Sequence, residues 1–234
     1  MPRKVAVITM LSGVMTLVVS AQPLLGESSQ SVGNSSAAQQ SSQGPSGQNI
    51  IACWKFLPGQ ETADNSGHGH ELRLRGASRF VPGGVSGNCL ECFSSANNPE
   101  VGNGAVVRND PRLTPEGAFT LELWIKPKAE LDTCSVAFLL DKKYLHYPRE
   151  TPEANCDYCL YLRRTNPGKF RLVAYLGFGQ DSAEFISQEV SLLPDCWVHL
   201  AFAYDGAGVG RFFLNKQAIG RTVHPGRGPV SPGK

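Results

Sequence analysis

The stretch Phe119-Thr-Leu-Glu-Leu-Trp-Ile-Lys126 alternates without a break, with Phe119, Leu121, Leu123 and Ile125 on one face and Thr120, Glu122, Trp124 and Lys126 on the other. A period of two marks an extended strand with one face against a core. Val198, Leu200, Phe202 and Tyr204 alternate with His199, Ala201 and Ala203 in the same way. Other short runs rich in β-branched and aromatic residues predict strands over Ile50–Phe56, Glu71–Arg75, Asn88–Phe93, Ala105–Arg108, Ser135–Leu140, Tyr158–Arg163, Phe170–Leu176, Phe185–Val190 and Arg211–Leu214. Turn signals separate them: Asn65-Ser-Gly, Pro82-Gly-Gly, Asn166-Pro-Gly, Asp205-Gly and Asn215-Lys. No stretch supports a helix longer than two turns, and no internal repeat stands out. Short strands without crossover helices pair antiparallel and close into two packed sheets or a barrel. The expected fold is all-β.

The N-terminus reads differently. Met-Pro-Arg-Lys precedes an apolar run from Val5 to Val19 and then Ser20-Ala21, which is the pattern of a secretory signal. Thr9, Ser12, Gly13 and Thr16 interrupt the run, which falls short of the roughly 20 apolar residues a membrane span needs. Residues 22–48 are mostly Ser, Gln, Gly, Ala and Asn, with no aromatic residue. Such a segment buries too little apolar surface to offset the entropy of ordering it, so a flexible tether is expected. Its Asn34-Ser35-Ser36 is a formal glycosylation acceptor. The organisation is therefore a signal peptide over 1–21, a linker over 22–48 and one sandwich domain over 49–234. Lys and Arg total 22 against 20 for Asp and Glu, and removing Arg3 and Lys4 leaves 20 against 20. A neutral domain offers no electrostatic case for a nucleic-acid partner.

Export bears on the seven cysteines, Cys53, Cys89, Cys92, Cys134, Cys156, Cys159 and Cys196. Outside the cytosol they are disulfide candidates before they are metal thiolates. In an extended Asn88–Phe93, Cys89 and Cys92 would stand about 10 Å apart, beyond the roughly 7 Å a disulfide tolerates. Cys156 and Cys159 flank an expected turn at Asp157-Tyr158 and could pair locally.

Four segments, in order, resemble the laminin-G-like, concanavalin A-like jelly-roll modules. They are Trp54-Lys-Phe with Asp64-Asn-Ser-Gly-His-Gly-His70; Gly87-Asn-Cys-Leu-Glu-Cys-Phe93; Phe119-Thr-Leu-Glu-Leu-Trp-Ile-Lys-Pro127; and Trp197-Val-His-Leu-Ala-Phe-Ala-Tyr-Asp-Gly206 leading into Arg211-Phe-Phe-Leu-Asn-Lys216. The resemblance implies a two-sheet antiparallel β-sandwich that binds a glycan or an extracellular or cell-surface protein. Family members continue past the last hairpin into two more strands, so the domain is expected to be incomplete at its C-terminal end. The resemblance also implies calcium at the sandwich rim, for which Asp64 and Asn65 are the candidate ligands. The competing reading is that Asp, Asn, Ser and Gly simply build a tight turn there.

Catalysis is set behind binding. A retaining glycosidase needs two carboxylates about 5 Å apart. Sandwich glucanases place them on one strand, but Glu122 is the only acid in its strand, and Glu184 and Glu189 are five apart with no acid between. His68 and His70 could form a metal pair but lie in turn sequence, and His199 reads as a packed structural histidine. Trp54, Trp124 and Trp197 are expected in the core. Two arginine clusters (Arg73, Arg75, Arg79; Arg163, Arg164, Arg171) could meet sulfated glycans if they converge, and the polar stretch from Asp141 to Asn155 has the mix of a contact loop.

Overall fold

A computed structural model describes residues 5–9, 17–20, 50–93, 103–143, 156–179 and 181–231. These residues form fifteen strands: β1 (Val5–Thr9), β2 (Leu17–Ser20), β3 (Ile50–Trp54), β4 (Leu72–Arg75), β5 (Arg79–Pro82), β6 (Asn88–Glu91), β7 (Gly104–Arg108), β8 (Phe119–Ile125), β9 (Val136–Lys143), β10 (Cys156–Asn166), β11 (Lys169–Gly177), β12 (Ser182–Ser191), β13 (Val198–Tyr204), β14 (Val209–Leu214) and β15 (Gln217–Val223). Seven make one sheet in the order β12-β11-β10-β9-β1-β7-β4, and six make the other in the order β15-β14-β13-β8-β2-β3. Strands β5 and β6 form a separate hairpin. Every named strand pair is antiparallel. The all-β sandwich is as expected.

The two strands with the clearest alternation lie side by side, in register from Val198 opposite Ile125 to Tyr204 opposite Phe119. Their apolar faces supply Phe119, Leu121, Leu123, Leu200, Phe202 and Tyr204, all fully buried. Leu160, Leu162, Leu172, Ala174, Leu176 and Phe185 of the larger sheet belong to the same core cluster. Phe185 meets Phe202 and Tyr204 edge-on, with ring centroids 5.8 and 5.5 Å apart, the geometry aromatic quadrupoles favour.

One side of the sandwich is nearly closed. The Thr222 hydroxyl of β15 accepts from the Ile186 amide of β12 and donates to the Ile186 carbonyl, each at 3.0 Å. Gly220 permits this approach, since its φ is +147° and a Cβ there would lie 2.9 Å from the Gln188 nitrogen. The edge of β12 is thus covered rather than left as a template for another strand.

Several expectations change. β5 and β15 were not anticipated, because Gly220 interrupts the alternation of β15 and β5 is only four residues long. Asp141–Lys143 continue β9 instead of opening a loop, and the rest of that polar stretch lies outside the described residues, as does Asn34. Residues 157 and 158 are not a turn: β10 runs through Cys156 to Asn166. The turn from which a local Cys156–Cys159 pair was read is therefore replaced by strand. Cys53, Cys89, Cys92, Cys134, Cys159 and Cys196 form no disulfide with one another. Burial pushes the Cys92 thiol up to about 12, which makes it unreactive. Of the three tryptophans only Trp54 is buried; Trp124 and Trp197 are half-buried, Trp124 because it occupies the solvent-side face of β8.

The stretch read as a signal peptide contributes β1 and β2. β1 pairs with β7 along its whole length and meets β9 at Val7 opposite Asp141. β2 pairs with β3 and β8, placing Leu17 opposite both Trp54 and Leu123.

Candidate functional site

The outer face of the larger sheet carries aromatic residues where a solvated face would carry polar ones. β10 sends Tyr158, Leu160 and Leu162 into the core, so Cys159, Tyr161 and Arg163 point the other way. β11 likewise buries Leu172, Ala174 and Leu176 and turns Val173 and Tyr175 outward. Register then builds rows across four strands. Phe138, Tyr161, Val173 and Ile186 stand opposite one another from β9 to β12, and Cys159, Tyr175 and Glu184 form the next row. Bulges between Leu160 and Tyr161 and between Arg171 and Val173 curve the sheet here, as bulges do. The outcome is an open groove of about 230 Å³ lined by Val136, Phe138, Cys159, Tyr161, Arg163, Tyr175 and Glu184.

The floor of the groove is apolar and its polar groups are locked together. Phe138 and Tyr161 lie 5.5 Å apart between ring centroids. The Tyr161 hydroxyl donates to Glu184 Oε1 at 2.6 Å. Arg163 donates to the same carboxylate oxygen at 2.6 Å and to the Tyr161 oxygen at 2.8 Å. Tyr175 bonds Ser182 through their hydroxyls. Burial alone would raise the Glu184 carboxyl, but the bonds from Tyr161 and Arg163 outweigh it and hold the group below its usual range. The Tyr161 hydroxyl moves up, through burial first and then its bond to Glu184. Glu184 is therefore an anion at neutral pH, fixed in place and flanked by a neutral phenol and a cation. Such a site presents acceptors and donors around an aromatic platform.

The sequence pointed to Arg163 only as part of a cluster, which disperses in part: Arg163 joins the groove with Arg171 opposite it on β11, while Arg164 turns to Asp132 at 2.9 Å. In the other cluster Arg79 pairs with Glu91 at 2.7 Å. Arg73 and Arg75 lie on β4, at the far edge of the sheet. Phe138, Tyr161, Tyr175 and Glu184 were missed. Their signal was present in Tyr158-Cys-Leu-Tyr-Leu162 and Leu172-Val-Ala-Tyr-Leu176, which are apolar at every position, the mark of strands covered on both faces.

The Asp64 turn is built differently from a cation cradle. Asp64 Oδ1 accepts from the amides of Cys53 and Ser66, and Oδ2 from the amide of His70, while the Ser66 hydroxyl bonds both oxygens. Asn65 Oδ1 accepts from the Lys55 amide at 2.8 Å. As arranged, Asp64 and Asn65 do not present the oxygens calcium needs. Among the described residues no group of three or more His, Cys, Asp and Glu is poised for a metal. His68 bonds the Ile51 carbonyl at 2.9 Å, and buried His70 sits between Asp64 and Asp110 at 3.3 and 3.5 Å. His199 lies on the outer face of β8 and β13, its ring tilted against Trp124 at 5.2 Å between centroids and 3.4 Å from Glu122, rather than in the core.

This turn has a pH signature. Burial would raise the Asp64 carboxyl, but the Ser66 hydroxyl and the amides of His70, Ser66 and Cys53 together hold it below its usual value. A depressed native value contributes stability above the unfolded carboxyl's pKa of about 3.9, lost as pH falls through the native one. Asp64→Asn should cost about 1–3 kcal/mol at neutral pH and flatten the loss of stability below about pH 4. Urea unfolding of both proteins at pH 7 and pH 3 measures this.

A laminin-G sequence model, described as the concanavalin A-like lectin/glucanases superfamily, matches residues 100–233, more than half of the chain. The chain belongs to the concanavalin A-like lectin/glucanases superfamily. Its matched span contains the whole groove, from β9 to β12. A search of curated proteins found no match. Among solved structures, the binding domain of Botulinum neurotoxin DC in complex with rat synaptotagmin II is 13% identical with a TM-score of 0.48, covering 68% of this chain and 36% of that one. The binding domain of Paraclostridial Mosquitocidal Protein 1 is 14% identical with a TM-score of 0.47, covering 72% and 40%. The chain thus spans well under half the length of either. The groove brings the outward aromatic residues Phe138, Tyr161 and Tyr175 together with the fixed carboxylate of Glu184.

Proposed function

We propose that the protein is an exported carbohydrate-binding or adhesion module, without catalytic activity of its own, that holds a glycan across the β9–β12 face. The observation that carries this reading is the aromatic floor of Phe138, Tyr161 and Tyr175 beside the Glu184–Arg163 pair. Sugar rings offer apolar C–H faces to stack on aromatic side chains and hydroxyls that both donate and accept. The leader-like N-terminus and the polar 22–48 segment support export and tethering.

Glycoside hydrolysis is the reading this geometry disfavours. Glu184 is the one carboxylate among the described residues that line the groove, and it is held ionised by Tyr161 and Arg163. A retaining mechanism needs a second carboxyl about 5 Å away, with one of the two able to carry a proton.

A glycan array run with a reducing-sugar assay on the same sample tests both readings. Tyr161→Ala should weaken glycan binding roughly tenfold or more, and Glu184→Gln, which keeps the shape, should also weaken it. Binding unchanged in both variants would remove the groove from the function. Released sugar would show an enzyme.

A further inference from the structure

At one end of the sandwich three segments enclose a second cavity. They are the turn after β8 (127–132), the turn between β10 and β11 (167–169) and the stretch that follows β12 (191–194). The cavity holds about 330 Å³ and shares no lining residue with the groove. Its floor is apolar, with Leu131, Phe170 and Leu192 all buried. Leu193 stands at its lip, 65% exposed, the most of any large apolar residue among those described. A lone surface leucine needs no explanation, but this one extends a buried apolar floor outward.

The three walls are tied to one another. The Gly168 amide donates to Asp132 Oδ1 at 2.7 Å, the Leu192 amide to the Gly168 carbonyl at 3.4 Å, and the Asp195 amide to the Pro127 carbonyl at 2.8 Å. The cavity is therefore held open by the fold, and little has to be ordered when it fills. Charge at the mouth is one-sided. Asp132 is answered by Arg164 at 2.9 Å and Lys128 by Glu91 at 2.7 Å. Lys169 makes no ion pair among the described residues, and its ammonium rests on the Ser191 hydroxyl at 2.7 Å. Glu189 feels that charge from a distance, but its Oε2 is taken by Thr165 and Asn166. A hydroxyl is a neutral acceptor, and a carboxylate would hold the ammonium more strongly.

We propose that this cavity is a second binding site, independent of the groove, for a small amphipathic carboxylate. Its hydrocarbon or aromatic body, of about ten heavy atoms, sits on Leu131, Phe170 and Leu192, and its acid group meets Lys169 and Ser191. An apolar floor with a few polar groups at one side is the usual build of a small-molecule site.

The test titrates the full chain by calorimetry with octanoate, octanol and octylamine, which share one hydrocarbon body. Octanoate should saturate a single site per chain and bind roughly threefold to fivefold more tightly than octanol, with octylamine weakest, since an exposed ion pair adds no more than that. Lys169→Gln should bring octanoate down to the affinity of octanol and leave octanol unchanged. Leu193→Asp, which removes apolar contact and sets an acid at the lip, should weaken octanoate roughly tenfold. Both side chains are exposed, and melts that match the parent chain show that the variants fold. Tyr161→Ala should leave octanoate binding as it is, which separates failure of this site from failure of the groove. No saturable uptake of octanoate, or octylamine bound as tightly, overturns the proposal. So does Leu193→Asp without effect or Tyr161→Ala with one, because either places the acid elsewhere. Tighter binding of the peptide Gly-Gly-Leu than of octanoate would make the occupant a chain terminus and overturn the free acid.

Discussion

Asp157→Ala is expected to cost about 3–5 kcal/mol of stability, because it strands a buried cation. Lys142 Nζ lies 2.6 Å from Asp157 Oδ2, with the two side chains only 7% and 4% exposed. The Thr114 hydroxyl donates to the same Asp157 oxygen at 2.6 Å and also contacts the ammonium, so three groups share one charge balance. Neither charge is tolerable there alone, but the pair need not stabilise the fold relative to apolar residues. The double variant Lys142→Met/Asp157→Leu should therefore recover most of the loss. Urea midpoints for the single and double variants decide it, and a double variant as unstable as Asp157→Ala would show that the polar cluster itself holds β9 to β10.

Trp54→Ala should cost a comparable amount, about 3–5 kcal/mol, by a different route. The side chain is 2% exposed and belongs to the main core cluster. Its indole N–H donates to the His70 carbonyl at 2.7 Å, tying β3 to the far side of the Asp64 turn. Alanine leaves both a cavity and an unsatisfied buried carbonyl. Trp54→Phe separates the two, since it keeps most of the apolar volume and loses only the hydrogen bond. Its expected cost is about 1–3 kcal/mol, measured by thermal melts alongside the alanine variant. Equal losses in both would mean that the bond, not the packing, dominates.

The fold was legible wherever the two faces of a strand differ in residue type. β8 and β13 read correctly from Phe119 and Val198 onward because large apolar residues alternate with Thr120, Glu122, His199, Ala201 and Ala203, although Thr120, Ala201 and Ala203 are themselves buried. The groove was not legible for the converse reason. Tyr161 and Val173 are buried on the outer face while Leu160, Leu162 and Leu172 fill the core, so β10 and β11 lose their period. The bulges then shift which residues stand opposite, and no spacing along the chain reports that Phe138 meets Tyr161. The cysteines misled for a related reason. Tyr158 and Asp157 resemble turn residues in isolation, yet Tyr158 is buried and paired with Lys142 and Leu176 in mid-sheet. The Asp64 turn was read both ways from its composition, and hydrogen bonds to three separate amides are a three-dimensional fact that composition does not carry.

The join between β12 and β15 bears on the heat and disorder of recognition. Glu184 lies two residues from Ile186, whose amide and carbonyl are both tied to Thr222, and the Glu184 carbonyl itself meets His224 at 2.7 Å. The carboxylate that a ligand would meet is thus mounted on a strand clamped from behind, and its own oxygen is already aimed by Tyr161 and Arg163. Little motion is left for a ligand to quench, so the entropy lost on the protein side is small and the ligand's own flexibility becomes the main expense of association. A stiff, cyclic or branched glycan would then gain over a floppy linear one of the same composition, and the close approach that Gly220 permits would be felt as a preference among sugars it never touches.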